Sequence, residues 1–297
     1  MDTKKILIDK IQKKRYLDSA ELFLCISKYN YSVIKGEPLS VLAYNELGMR
    51  SCSDIDILVE KSDLVKIESL LIEQGFISNM QSRADRILTL AFSHQVVPWH
   101  KNIFPFSQIN IDLNFDIFWG EYEGKRVDIK DFLSDAIEMD IYGIKVKTLP
   151  PLKAMIQLVL HHYKEMNSIY HLSTHNCIHY KMFKDIYYLW KNNREDISLD
   201  KLYSLSNIYE IFPYIYYVLY FTNQVFNDAE LEQYVDAFKT LEGINLLDYY
   251  GLAENERKLW KIDFKTRLES DNLYDLIKDD LTTDDFEKLE RNRRIFG

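Results

Sequence analysis

Three aspartates have the residue type and spacing to bind divalent metal ions. Asp54 and Asp56 lie two positions apart in the apolar segment SDIDILV, so on a β-strand both carboxylates would point to the same face. Their charges would repel each other unless cations lie between them, and Mg²⁺ prefers such hard oxygen ligands. Asp112, in the alternating segment QINIDLNFDIFW, is the candidate for a third carboxylate on a neighbouring strand. Three carboxylates would hold two metal ions, a site that catalyses phosphoryl transfer.

A second interpretation of the same spacing involves no chemistry. Asp54 and Asp56 would then lie on the solvated face of an edge strand. Acidic residues two positions apart also arise by chance, because 46 of the 297 residues are Asp or Glu. The spacing leaves both interpretations open, and the surrounding sequence must separate them.

The first sixty residues predict alternating helices and strands. Apolar residues at helical spacing run from Ile6 to Ile26, and YSVIK follows as a short strand. Pro38 suits the first turn of a helix that continues to Gly48, a predicted C-terminal cap. The segment DIDILVE then alternates with period two, which predicts a strand.

Further along, the chain continues as sheet and then becomes helical. Residues 61–74 predict a surface helix that ends at Gly75, and residues 93–101 and 108–119 predict extended segments. Four small polar residues of the second extended segment would share one sheet face: Asn110, Asp112, Asn114 and Asp116. The segment IYGIKVKTLPP ends the sheet region, and the pattern is helical from Lys153 onward. We therefore predict two domains, residues 1–150 and residues 151–297.

Charge and composition restrict the possible partners and surroundings. The chain has 37 basic and 46 acidic residues, a formal charge of −9, so its field repels long nucleic acids and a bound nucleotide needs local cations. The three cysteines, Cys25, Cys52 and Cys177, are widely spaced and form no metal-binding or disulfide pattern. No segment is long and apolar enough to span a membrane. These features predict a cytoplasmic protein without a membrane partner.

The stretch KGEPLSVLAYNELGMRSCSDIDILV resembles the core of the nucleotidyltransferase superfamily. It is most similar to an uncharacterised bacterial family of DNA polymerase beta-like nucleotidyltransferases with an LKG…YxxxxxRxxxDIDLLV signature. The residues that fit this signature are Lys35, Gly36, Tyr44, Arg50, Ser53, Asp54, Asp56 and Val59. The chain departs from the superfamily pattern in two places. It has Gly36-Glu37 where a Gly-Ser pair is usual, and IDLNF keeps Asp112 but lacks the family's His-Trp pair.

The resemblance, which spans residues 20–190, implies an α+β fold. A small mixed sheet with flanking helices would form the nucleotidyltransferase core, and an α-helical domain would close one side of its cleft. The implied reaction is Mg²⁺-dependent transfer of a nucleoside monophosphate from an NTP, with ATP expected, to a hydroxyl of a small molecule or protein. Pyrophosphate would be released. Two Mg²⁺ ions, with Mn²⁺ as a substitute, would be held by the catalytic Asp54, Asp56 and Asp112.

The same resemblance suggests residues that contact the nucleotide. Lys35, Gly36, Ser53 and Arg50 are the candidates for the triphosphate. In the helical half, LPPLKAMIQLVLHHYKE and YKMFKDIYYLWK are similar to the family's helical region, where His162, Lys181 and Asp185 occupy recurring positions. These three side chains would line the nucleotide or acceptor side of the cleft. Alternatively, they form a packing network in which Lys181 pairs with Asp185 at i, i+4.

Other functions remain open at this point. His171, His175 and His179 would share one face of a helix and, with Cys177, could hold zinc, although the segment suits a loop equally well. The fold could serve as a non-catalytic module that binds nucleotide or metal within a complex. It could also be a toxin-type nucleotidyltransferase that modifies tRNA or protein.

Overall fold

The computed structural model describes residues 3–79, 81–103, 107–174 and 178–296. The chain divides into two compact units. The first contains Met1–Ile117, Val127–Ala154 and Lys191–Arg194, and the second contains Phe118–Arg126, Met155–Trp190 and Glu195–Gly297. The predicted zinc ligands His175 and Cys177 lie outside the described residues. The α+β fold class is confirmed, with a mixed sheet, flanking helices and further helices toward the C-terminus.

The secondary structure elements follow in chain order. The strands are β1 (Tyr31–Val33), β2 (Ile55–Val59), β3 (Ile77–Ser78), β4 (Trp99–Ile103), β5 (Ser107–Asn114), β6 (Ile137–Ile141), β7 (Ile144–Thr148), β8 (Tyr249–Tyr250) and β9 (Lys258–Leu259). The helices are α1 (Thr3–Asp18), α2 (Ala20–Ile26), α3 (Gly36–Tyr44), α4 (Leu64–Glu73), α5 (Arg83–Phe92), α6 (Ile129–Phe132), α7 (Pro151–Asn167), α8 (Ile169–Thr174), α9 (Tyr180–Asn192), α10 (Leu199–Tyr209), α11 (Phe212–Phe226), α12 (Ala229–Ala237), α13 (Leu241–Leu246), α14 (Phe264–Glu269), α15 (Tyr274–Ile277) and α16 (Thr283–Phe296).

The sheet of the first unit is mixed and places β2 near its centre. Among the described residues it has seven strands in the order β3-β4-β5-β2-β1-β7-β6. Strand β2 runs parallel to β5 and antiparallel to β1, and β1 runs parallel to β7. Every residue of β2 is buried. The alternation of polar and apolar residues in this strand therefore does not reflect an edge strand with one solvated face, which was the second interpretation of the aspartate spacing.

One face of the sheet carries the hydrophobic core of the first unit. Alternate residues of the central strands point into it, and α2 and α4 cover it with their apolar faces. The strand residues of this core include Ile55, Ile57, Val59, Ile109, Ile111 and Leu113, and the helix residues include Leu22, Phe23, Ile26, Leu64, Ile67 and Leu71. Each such side chain contributes about 1.5–3 kcal/mol when fully buried. This packing leaves the opposite face available for the polar residues of β2 and β5.

Two predicted helices have different bounds in the structure. The helix predicted over residues 6–26 is divided into α1 and α2, because the Ser19 amide contacts the carbonyls of both Arg15 (3.0 Å) and Tyr16 (3.1 Å) in a tightened turn. The helix predicted to reach Gly48 ends at Asn45, which adopts the left-handed conformation with φ of 56°. Asn tolerates this conformation and caps the helix, so Gly48 is not the cap.

The extended segment predicted over residues 108–119 is strand only as far as Asn114. The last residue pair between β2 and β5 is Leu58 with Asn114, and the Phe115 amide then donates to the carbonyl of His94 (2.8 Å). The prediction that Asp116 shares the polar face is therefore wrong, because the chain leaves the ladder before reaching it.

The second unit is predominantly helical, as the pattern after Lys153 predicted, with the short hairpin β8–β9 added. Three aromatic residues of α11 are buried in its core: Tyr216, Tyr217 and Phe221. In the described part of the chain, no helix combines the length and the apolar composition needed to cross a membrane.

Candidate active site

The parallel pairing of β2 with β5 brings two of the predicted aspartates onto one face. Asp56 lies directly opposite Asp112 in the ladder, just as Ile55 lies opposite Ile111. Residues paired in this way project from the same side of a sheet, on strands about 4.8 Å apart. Asp54 lies immediately before β2, two positions from Asp56. The structure thus places the three carboxylates on or beside two adjacent strands.

The Asp54 carboxyl is electrostatically coupled to its neighbours. Burial raises its pKa above the usual value, the negative charge of Asp56 raises it further, and the Lys35 ammonium opposes both effects. The part of this shift that comes from Asp56 is the effect expected when one negative charge disfavours another nearby. A cation near this pair would relieve the repulsion.

Asp56 is held by a cation and an amide from two different elements. It is 5% exposed, and the Nζ atom of Lys35 lies 3.0 Å from its Oδ1 atom. The Nδ2 atom of Asn114 donates to the same oxygen at 3.5 Å and to the backbone carbonyl of Asp112 at 3.2 Å. Asn114 was not among the predicted site residues, although its place in the alternating polar pattern of β5 was the available signal.

The loop before β2 is tied to the rest of the first unit through its backbone. The carbonyl of Cys52 accepts hydrogen bonds from Gln12 (2.9 Å) and from Arg15, both on α1. The carbonyl of Ser53 accepts one from Asn110 of β5 (3.2 Å). The exposed residue Ser53 therefore stands at a fixed position beside the aspartates.

Gly36 begins α3 next to this loop and has φ of +65°, a conformation that strains any residue with a side chain. The Nη1 atom of Arg50 donates to the Gly36 carbonyl at 3.4 Å. Arg50 is only 7% exposed, so in this structure it supports the turn at Gly36. Its predicted contact with a triphosphate stays a prediction.

Glu37, which follows Gly36 in the first turn of α3, is completely buried. Burial raises the pKa of its carboxyl to about 7; the nearby Asp9 adds to the shift, while a hydrogen bond from the Gly48 amide (2.8 Å) and the Arg50 charge oppose it. A protonated carboxyl is uncharged and can donate a hydrogen bond, as a serine hydroxyl can. Sequence reasoning noted the departure at Gly36-Glu37 without selecting Glu37 as a site residue.

Replacing Glu37 by Gln is expected to stabilise the protein at high pH. The pKa of Glu37 is about 7 in the folded chain and 4.5 ordinarily, so folding stability falls as pH rises from about 4.5 to about 7 and stays lower above it. Gln keeps the shape and the acceptor for Gly48 without the charge. We expect Glu37→Gln to gain on the order of 1–3 kcal/mol at pH 8 and little at pH 4.5.

Urea unfolding at the two pH values measures this effect. Glu73→Gln, at an exposed position on α4, is the matched control and should change stability little at either pH. An equal effect of Glu37→Gln at both pH values would show that the Glu37 carboxyl titrates normally.

The predicted residues of the helical half all belong to the second unit. On α9, Asp185 is buried (1% exposed) and Lys181 is exposed one turn earlier. His162 is buried on α7, where its Nδ1 atom lies 3.6 Å from Oε2 of Glu165. Direct contact of these residues with a nucleotide and the packing alternative both stay predictions.

His171 and His179 would share one face only if the segment between them were helical, and the two residues do not lie on one helix. His171 lies on α8, which ends at Thr174, and His179 lies outside any helix, immediately before α9. A helical face needs continuous turns of 3.6 residues, and the chain leaves the helix between these two histidines.

A compact group of metal-ligating side chains occurs elsewhere, on α7. In the part of the chain that the structure describes, the three side chains whose ligand atoms all lie within 4.8 Å of one another are His161, His162 and Glu165. Among those described residues the three aspartates do not form such a group. Like-charged carboxylates without a cation between them repel one another, which favours larger separations.

Comparison with known families gives one match and one negative result. A family model described as an uncharacterised nucleotidyltransferase matches residues 27–227, more than half of the chain. The matched range includes the whole polar face of β2 and β5 as well as α7 and α9. No curated protein matches the chain.

Proposed function

We propose that this chain, which belongs to the uncharacterised nucleotidyltransferase family, transfers a nucleoside monophosphate from an NTP to a hydroxyl of a small molecule or a protein. The observation that carries the proposal is the β2–β5 register, which sets Asp56 opposite Asp112 with Asp54 two positions away. Nucleotidyl transfer needs carboxylates in such an arrangement because they hold the metal ions that neutralise the highly charged triphosphate. The acidic net charge favours a small or protein acceptor over long RNA.

The donor set suits Mg²⁺. All three candidate ligands are carboxylates, which are the ligands that hard divalent cations prefer. Burial and the Asp56 charge both raise the pKa of Asp54, and a nearby cation would favour its ionised form. Asp54 and Asp56 would hold both ions, Asp112 would hold the ion on the acceptor side, and Mn²⁺ would substitute. When bound, Mg²⁺ supplies neutralisation of the phosphate charge and a lower pKa for the attacking hydroxyl.

The residues around Gly36 would bind and orient the triphosphate. Lys35 offers an ammonium at the first turn of α3, and the amides of that turn point out of the helix, where they favour an anion. Ser53 adds an exposed hydroxyl from the other side of the aspartates. Arg50 would act by holding the Gly36 carbonyl, so we assign it a positioning role rather than a direct contact.

The different exposure of three residues in the helical half, His162, Lys181 and Asp185, separates their proposed roles. An exposed Lys181 suits contact with phosphate, whereas the buried Asp185 suits the orientation of neighbouring side chains within α9. We propose Lys181 as the member of this group that contacts the nucleotide or the acceptor.

Incubation with α-labelled NTPs tests the proposed reaction. The purified chain, a cell extract and Mg²⁺ are combined with each of the four labelled NTPs in turn, and labelled products are separated. We expect one extract component to take up label with release of pyrophosphate, ATP to be the best donor, and EDTA to abolish the transfer. If none of the four NTPs labels any component above an Asp56→Asn control, the chain is not a nucleotidyltransferase for that extract's acceptors.

A non-catalytic binding module is the second candidate, and the ion pair between Lys35 and Asp56 favours it. A lysine 3.0 Å from a catalytic carboxylate neutralises the charge that would attract a metal ion. This candidate predicts nucleotide binding without label transfer. The same incubation, combined with measurement of ATP affinity, separates the two functions.

A further inference from the structure

A cluster of two histidines and a glutamate on α7 takes no part in the proposed nucleotidyl transfer at the aspartates. The Nε2 atom of His161 lies 3.1 Å from Oε1 of Glu165, and the Nδ1 atom of His162 lies 3.6 Å from Oε2 of the same carboxylate. Glu165 lies four positions after His161 and three after His162, and side chains at these spacings are neighbours on a helix, so the carboxylate contacts both imidazoles. Their ligand atoms lie within 4.8 Å of one another, which is compatible with coordination of one small cation.

The buried imidazole of His162 lacks any hydrogen-bond partner. The side chain is 5% exposed, yet neither Nδ1 nor Nε2 is hydrogen-bonded to another described residue. The 3.6 Å separation from Glu165 is longer than a hydrogen bond. A buried polar group without a partner costs about 1–3 kcal/mol, so an unsatisfied nitrogen that faces a carboxylate indicates a missing ligand.

The charges around the cluster are suited to a cation. The Glu165 carboxylate faces both imidazoles, with its Oε1 atom 3.1 Å from His161 and its Oε2 atom 3.6 Å from His162, so the cluster combines one acidic group with two nitrogen ligands. Neutral imidazole and ionised carboxylate are the protonation states that coordinate metals.

We propose that His161, His162 and Glu165 bind a divalent transition-metal ion, with Zn²⁺ as the best fit. Two imidazoles and one carboxylate match the ligands that zinc prefers, whereas Mg²⁺ and Ca²⁺ select sites made of oxygen. A water molecule would complete a four-coordinate sphere. This assignment gives His162 a role as a metal ligand in place of its predicted contact with nucleotide.

Zinc titration of the purified full chain tests the site. The protein is stripped with EDTA, dialysed, and titrated with Zn²⁺ against a chromophoric chelator in excess Mg²⁺, which occupies all-oxygen sites. We expect one Zn²⁺ per chain with a Kd of about 1 µM or tighter. His162→Ala and Glu165→Gln should each weaken binding at least about tenfold. His171→Ala on α8 and Asp56→Asn on β2 are the controls and should leave the affinity unchanged.

X-ray absorption of the zinc-loaded wild-type chain identifies the zinc ligands and does not depend on whether any variant folds. We expect nitrogen and oxygen ligands at about 2.0–2.1 Å with the outer-shell scattering of imidazole. The proposal is overturned if the wild-type chain shows no micromolar Zn²⁺ binding, or if sulfur ligands dominate the spectrum. Loss of binding in His171→Ala but not in His162→Ala would also overturn it and move the site to the 171–179 segment.

Discussion

Asp112→Asn is expected to lower the rate of nucleotidyl transfer by about a thousandfold, while Asp116→Asn lowers it less than about threefold. Asp112 lies opposite Asp56 on β5, and Asn at this position keeps the shape but removes the charge. A thousandfold loss corresponds to about 4 kcal/mol of transition-state stabilisation, which is reasonable for removal of one charged metal ligand. Binding of the NTP should change little, because Asp54 and Asp56 remain.

Asp116 is the matched control for this prediction. It is the same residue type four positions further along, but it lies beyond Asn114, where both β5 and its pairing with β2 end. The measurement is the initial rate of label transfer from an α-labelled NTP to the acceptor found in the extract, with ATP affinity measured in parallel. A near-normal rate for Asp112→Asn, or an inactive Asp116→Asn, would show that Asp112 is not a metal ligand.

The affinity of the chain for ATP is expected to depend strongly on Mg²⁺, and this dependence should disappear in Asp56→Asn. Without a cation, the carboxylates of Asp54 and Asp56 repel the triphosphate, because all of these groups carry negative charge. We expect Mg²⁺ to raise ATP affinity in the wild-type chain at least about thirtyfold, or about 2 kcal/mol. Calorimetry with Mg²⁺ and with EDTA measures the difference.

Replacing Lys35 tests the same prediction in a second way, because it should change the affinities for Mg²⁺ and for Mg²⁺-ATP in opposite directions. Its ammonium lies 3.0 Å from Asp56 Oδ1 and occupies the position of a competing cation. Lys35→Met should therefore raise the affinity for Mg²⁺ in the absence of nucleotide and lower the affinity for Mg²⁺-ATP, because the same group is proposed to contact the triphosphate. Equal ATP affinities with Mg²⁺ and EDTA in the wild-type chain would instead favour a binding module without a two-metal site.

Several features of this protein could be predicted from its sequence because they depend only on residues close together along the chain. The apolar run around Asp54 and Asp56 specifies a buried strand, and the alternation through Asp112 specifies a strand with one polar face. The helical periodicity after Lys153 specifies helices in most of that region. These signals act within one element, where residue type and spacing set the local conformation.

The exact ends of the elements depended on tertiary contacts. Strand β5 stops at Asn114 because its pairing with β2 stops there, although the polar and apolar alternation continues to Asp116. The first helix divides at Ser19, where the amide contacts two carbonyls, and α3 ends at Asn45 in a left-handed conformation. The periodic pattern of one segment does not predict where its partner strand ends.

The composition of the site was decided by contacts between residues far apart in the chain. The register of β2 on β5 sets Asp56 against Asp112, and burial raises the pKa of Glu37 to about 7. The i, i+4 spacing of His161 and Glu165 could be read from the sequence. The burial of His162, and the lack of a hydrogen-bond partner for its ring nitrogens among the described residues, could not. Burial, register and charge coupling depend on what the remainder of the fold places around each side chain, and spacing along the chain does not specify them.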